Sequence, residues 1–195
     1  MHQLRNRNTI TYDGWIAYDG EKIKICNAQE YGVYKKIVIS FIKQLDAAIS
    51  IHKRVLVLRL DFHINYYTET NNKLSKFMKN IIQWLNRHYG IKKVGYQWVR
   101  EQERAKKQHY HLALILDGDL IQNPSKINEI FREKWLPNGS MYIPDNCFYR
   151  INKHNLKEVR ESVIYRVSYM AKSRGKQYRP AQTKSSCSSR LKAKT

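Results

Sequence analysis

Val94-Gly95-Tyr96-Gln97-Trp98-Val99-Arg100-Glu101-Gln102-Glu103 and His109-Tyr110-His111-Leu112-Ala113-Leu114-Ile115-Leu116, separated by the charged segment Arg104-Ala105-Lys106-Lys107, decide the fold. Both runs have strand length and are rich in aromatic, branched and other apolar residues, so together they predict an antiparallel hairpin. Strand side chains alternate between faces, so His109 and His111 project from one side and Tyr110 from the other. If the connection holds an odd number of residues, Glu101 and Glu103 share the histidine face.

Working outward, Val55 to His63 is a short apolar run that reads as a central strand. Apolar residues three and four apart predict helices over Gln29–Ser50, Thr68–His88, Ser125–Trp135 and Leu156–Lys172, with Gly90 just past the second. Two Asp-Gly turns between residues 9 and 26 predict a small hairpin, and 139–152 reads as a short strand or ordered loop. No internal repeat is present. This order describes an α+β domain, an antiparallel sheet with helices mainly on one face and the other face open for a site. The expected organisation is an N-terminal arm or hairpin over 1–30, one catalytic domain over 31–175 and a basic, flexible tail over 176–195.

Among the 195 residues, Lys and Arg number 36 against 16 Asp and Glu, a net charge of +20 that favours polyanionic partners, nucleic acid first. The hydrophobic content of 42% is that of a folded domain rather than a polybasic tail. No stretch has the length or apolarity of a membrane span or a secretion signal, so a soluble, cytoplasmic protein without membrane partners is expected. Cys26, Cys147 and Cys187 are widely spaced and form no CxxC pair, which fits thiols in a reducing compartment. The phosphate loop GxxxxGK[ST] is missing, which argues against a nucleotide cofactor and a fused helicase.

His109 and His111 with a nearby carboxylate, Glu101 or Glu103, form a set suited to Mn²⁺ or Mg²⁺, with Zn²⁺ as an alternative. The plain alternative is a pair of surface histidines. On the last helix, Tyr165, Tyr169 and Lys172 fall within about 60° of one another, opposite the apolar stripe Leu156, Val159, Val163, Val167 and Met170. A phenol is a weak nucleophile until its anion is stabilised, which Lys172 or a metal at the scissile phosphate can do. The competing readings are ordinary packing tyrosines and one more solvated lysine.

His109-Tyr110-His111 on a strand, with Tyr165-x-x-x-Tyr169-x-x-Lys172 on a later helix, resembles motifs of the HUH endonucleases that initiate rolling-circle replication. The run Val55 to His63 resembles their first motif. The paired tyrosines are similar in spacing to the phiX-type gene A initiators, and Arg100-Glu101-Gln102 through His111 looks like the inovirus and prophage replication proteins of the YagK/YfjJ type. The resemblance implies a ferredoxin-like or RNA-recognition-like sheet carrying the metal site. It also implies tyrosine attack on single-stranded or hairpin origin DNA, leaving a 5′-phosphotyrosine link and a free 3′-hydroxyl. Host polymerase and helicase are implied partners. On the same basis Tyr169 matches the commoner core with Lys172, Tyr165 is its alternate, and Glu101 stands ahead of Glu103 as third ligand. Asp61 and His63, on one face of the first-motif strand, could add a ligand or a base, or bond only locally.

Arg100, Arg104, Lys106 and Lys107, with Arg166 and Arg174, are the expected DNA contacts, and Tyr96, Trp98 and Tyr110 are candidate stacking rings. Trp98 and Tyr110 have the parity of the opposite face, so a core position for Trp98 is the competing expectation. The alternative functions are a non-catalytic basic DNA-binding regulator, or a relaxase or transposase of the same chemistry.

Overall fold

A computed structural model describes residues 9–103 and 107–194. Near its start, β1 (Ile10–Thr11) runs beside a later two-residue strand, while β2 (Trp15–Tyr18) and β3 (Glu21–Lys24) make the hairpin predicted by the Asp19-Gly20 turn. The first helix is broken: α1 (Ala28–Tyr31) ends at Gly32, β4 (Val33–Tyr34) pairs with β1, and only then does α2 (Lys35–Ile51) begin. Gly32 has φ 63, and a Cβ there would lie 2.6 Å from Ile10 Cγ2, so the β1 contact itself demands glycine. Ile16, Ile23 and Ile25 share a core with α2, so residues 9–30 are packed into the domain rather than standing off as an arm.

The central unit is β5 (Val55–His63), α3 (Asn72–Tyr89), β6 (Gly95–Glu101), β7 (His109–Asp117) and α4 (Ser125–Trp135), followed by β8 (Met141–Tyr142) and β9 (Phe148–Ile151). The strands lie in the order β9-β5-β7-β6, each antiparallel to its neighbour, and β8 pairs the far end of β5. That is the ferredoxin-like βαββαβ order. Then α5 (Leu156–Ser168) runs into a 3₁₀ turn at Tyr169–Ala171, and β10 (Ser186–Ser188) joins the free edge of β6.

Alternation along the strands divides the interior in two. Leu56, Leu58, Leu60 and Phe62 of β5 pack with Leu74, Phe77, Met78, Ile81 and Leu85 of α3 and Ile127, Phe131 and Trp135 of α4. On the opposite face Val55, Val57, Val99, Ala113 and Ile115 pack under α2 and α5. The helices of the ferredoxin-like unit share one face as expected, but α2 and α5 cover part of the other, which is therefore not open along its whole length. These two helices carry apolar stripes of their own that need a sheet to bury them.

The expected flexible tail is also corrected. Ser186, Cys187 and Ser188 pair with Val99, Trp98 and Gln97, and Lys176 is buried. Small polar residues gave little strand signal, while the unpaired edge of β6 supplies the partner. All three cysteines are free thiols. Among the described residues no helix is long and apolar enough to cross a membrane.

Candidate metal centre and tyrosine

The face under α2 and α5 changes character along each strand. On β5 the residues on that face run Val55, Val57, Arg59, Asp61, His63; on β7 they run Ile115, Ala113, His111, His109; on β6, Gln97 and Val99 lead to Glu101. The register sets Asp61 opposite His111 and Glu101 opposite His109, so all the polar ends meet. The connection 102–108 is odd in length, as the shared face of Glu101 and the histidines requires.

Glu101, His109 and His111 each offer a ligand atom, and these atoms lie within 4.8 Å of one another. Glu101 Oε2 is 3.3 Å from His111 Nε2 and 3.5 Å from His109 Nε2. Nε2 of His111 is buried and makes no hydrogen bond, and its other ring nitrogen lies 2.6 Å from Asp61 Oδ1. Two imidazoles and a carboxylate, one of them with an unused buried nitrogen directed at the cluster, fit a divalent cation. Asp61 is then the carboxylate that orients a ligating histidine, rather than a further ligand. Arg59 supports Asp61 from 3.6 Å, and His63 stacks on His109 with ring centroids 5.5 Å apart.

The electrostatics follow from this packing. Burial alone would push the Glu101 carboxyl up, but the contacts from His109 and His111 and the charge of Lys176 hold it far below the usual carboxylate range. Burial likewise works against ionised Asp61 and is overcome by His111 and Arg59, so its pKa is lowered. For His111, burial favours the neutral ring, while Asp61 and Glu101 outweigh it and raise the pKa. His63 is pushed down by burial and by the charge of His109.

The chain returns to this cluster after α5. Lys172 Nζ donates to the Tyr169 hydroxyl at 2.8 Å and sits 3.4 Å from Glu101 Oε2. Lys176 Nζ contacts Glu101 Oε1 at 2.9 Å and donates to the Lys172 carbonyl. The guanidinium of Arg59 lies 5.6 Å from the centroid of the Tyr169 ring. Tyr165 is elsewhere: it is 40% exposed, with Lys24 Nζ 5.6 Å from its ring centroid, and contact with Cys26 raises its phenol pKa. The 3₁₀ turn at 169–171 and the extended Lys172, bridged to Val33, break the single helical face expected for Tyr165, Tyr169 and Lys172.

Other expected site residues disperse. Glu103 pairs with Arg174 at 3.1 Å rather than joining the cluster. Arg100 is corrected: it is 1% exposed and donates to the Thr68 and Thr70 carbonyls, Asn71 Oδ1 and Gln102 Oε1, so it ties down a loop and offers nothing to DNA. Arg166 donates to the Asp145 carbonyl, and Lys107 is exposed. Arg104 and Lys106 lie outside the described residues. Trp98 and Tyr110 belong to the core, with the Tyr110 hydroxyl on Asn71, and are not available for stacking. The places of Arg59 and Lys176 against the cluster escaped sequence reasoning. A charged residue inside the apolar run of β5 was a signal for the first; nothing local marked the second.

The geometry defines a basic α+β domain with a carboxylate–histidine group, able to hold a metal, beside a lysine-bonded tyrosine. The chain belongs to the YagK/YfjJ C-terminal domain family, which its residues 18–188 match. It is similar to the protein named uncharacterized protein YfjJ of Escherichia coli strain K12, with 25% identity over 189 residues, covering 75% of this chain and 91% of that protein. No solved structure matches significantly.

Proposed function

We propose that the protein is a metal-dependent endonuclease and strand transferase that nicks and rejoins single-stranded DNA at a rolling-circle replication origin, with Tyr169 as nucleophile. The observation carrying this reading is the position of Lys172, whose ammonium contacts both the Tyr169 hydroxyl and Glu101. A regulator that only bound DNA would have no need to join a phenol to a metal-binding group. The net charge of +20 suits the substrate.

Glu101, His109 and His111 would hold Mn²⁺ or Mg²⁺, with Zn²⁺ as the alternative, and the bound cation would withdraw charge from a non-bridging phosphoryl oxygen. Tyr169 releases its proton to solvent as its oxygen attacks phosphorus. The bond from phosphorus to the 3′ oxygen breaks, and that oxygen leaves as a hydroxyl after taking up a proton. One phosphodiester becomes one phosphotyrosine ester, so a later attack by a 3′-hydroxyl restores the strand. Lys172 faces the oxygen on which charge gathers, and Arg59 adds positive charge behind the ring. The free 3′-hydroxyl serves a polymerase, and unwinding falls to a separate helicase.

The test is incubation with labelled single-stranded origin candidates in Mn²⁺, Mg²⁺ or EDTA, followed by denaturing gel and peptide mass spectrometry. A metal-dependent adduct on Tyr169 is expected. Salt-sensitive binding without cleavage in any metal would replace the reading with a non-catalytic DNA-binding module.

A further inference from the structure

Beside the metal group, on the same face of β6, lies a cleft of about 540 Å³ between the first turns of α2 and the strand β10. Its charged lining consists of Lys36, Lys176, Arg179, Lys184 and Arg190, with no acidic side chain among the described residues. Lys176 is also the wall between the cleft and Glu101. The start of α2 faces this space, has no side-chain cap and no acidic residue in its first turn, and carries Lys35 and Lys36 where the helix dipole is already positive. Such an excess of positive charge suits an anion.

A second observation is independent of charge. Gln97 is 1% exposed, lines the cleft, and its buried Oε1 has no hydrogen-bond partner. An orphaned buried acceptor calls for a donor from a ligand, which a bare phosphate dianion cannot supply and a nucleobase can.

We propose that this cleft holds one nucleotide of a single DNA strand, its phosphate among Lys36, Arg179, Lys184 and Arg190 and a donor on its base edge against Gln97 Oε1. The volume suits a nucleotide. The identity of the strand rests on the nicking reading, and the cleft would grip that strand next to the metal group.

The experiment measures anisotropy of a labelled 15-nucleotide oligo(dA) and its abasic counterpart across a salt series, with competition by dAMP and by inorganic phosphate. Lys36→Gln with Arg190→Gln, both at exposed positions, is expected to weaken oligo(dA) binding about tenfold at low salt. It should also flatten the log–log salt slope by about 1.4, the value for two single-strand phosphate contacts. Gln97→Met should weaken oligo(dA) and leave the abasic strand unaffected. Unchanged affinity and slope in the double variant would overturn the proposal even if Gln97→Met failed to fold. Displacement by dAMP or phosphate at nucleotide concentrations equal to those of the oligomer would overturn the strand in favour of a free nucleotide or anion. Repeating the contrast in a Tyr169→Phe background separates the two readings: the binding difference persists there if the cleft is right, whether or not wild-type protein forms an adduct.

Discussion

His111 and Asp61 face each other across neighbouring strands, with Nδ1 2.6 Å from Oδ1, so one ring nitrogen is committed to a carboxylate and the other is left to the Glu101 side. Asp61→Asn keeps an acceptor but removes the charge that fixes this tautomer. It should weaken Mn²⁺ binding by about 10- to 100-fold in calorimetry while leaving one site per chain. An unchanged affinity would separate Asp61 from the metal group.

The same pair predicts an acid dependence. Because the Asp61 pKa is lowered in the folded chain, its stabilising contribution is complete above the ordinary value near 3.8 and is lost as pH falls through the depressed one. The gap in Tm between wild type and Asp61→Asn, measured in EDTA, should therefore be widest between about pH 5 and 6, close toward pH 2, and narrow again as the pH rises through the raised His111 pKa. A gap that is constant over that range would contradict the linkage.

Tyr169 and Tyr165 should separate cleanly. Tyr169→Phe is expected to eliminate the covalent adduct with single-stranded DNA, whereas Tyr165→Phe, altered at an exposed position beside Lys24, should leave its rate within about twofold. Mass spectrometry of adduct peptides checks both. An adduct that moves wholly to Tyr165 in wild-type protein would return the two residues to equal standing.

Lys172→Met removes the donor on the attacking oxygen. Single-turnover adduct formation should slow by about 10²- to 10³-fold at saturating DNA, the usual loss for one donor placed at developing charge. Mn²⁺ binding should survive, because Lys172 supplies no ligand; loss of metal in this variant would make its role structural.

Arg100 tests the correction to the DNA surface. Arg100→Met takes the guanidinium away from the Thr68 and Thr70 carbonyls, which keep only the Gln108 amide and the Thr68 hydroxyl as donors, and should cost about 1.5–3 kcal/mol in urea unfolding. The salt slope of DNA binding should not change in the folded variant. A flatter slope would mean that Arg100 does reach phosphate.

How much of this was legible before folding depends on the range of the deciding contacts. The bounds of β5 and α4 were readable because the first is a mostly apolar run of strand length and the second carries a helical stripe over its full length. Strand parity with an odd connection made readable that His109 and His111 share a face with Glu101 and Glu103, while the preference for Glu101, which the structure places in the group, came from the resemblance alone. Parity also contained the fate of Arg100, which alternates with Glu101 and so shares the core face with Trp98. The break at Gly32 was not readable, since it comes from Ile10, a partner distant in sequence. Nor was the parting of Tyr165 from Tyr169, which depends on a turn at the end of α5 and a bridge from Lys172 back to Val33.

The pairing of β10 with β6 carries a practical consequence. With residues 183–194 removed, the backbone donors and acceptors along Gln97 to Val99 would lie bare, an invitation to strands of other molecules and so to aggregation. Protection of that edge is thus vested in one short serine-rich segment, and trimming it to tidy an expression product would forfeit it.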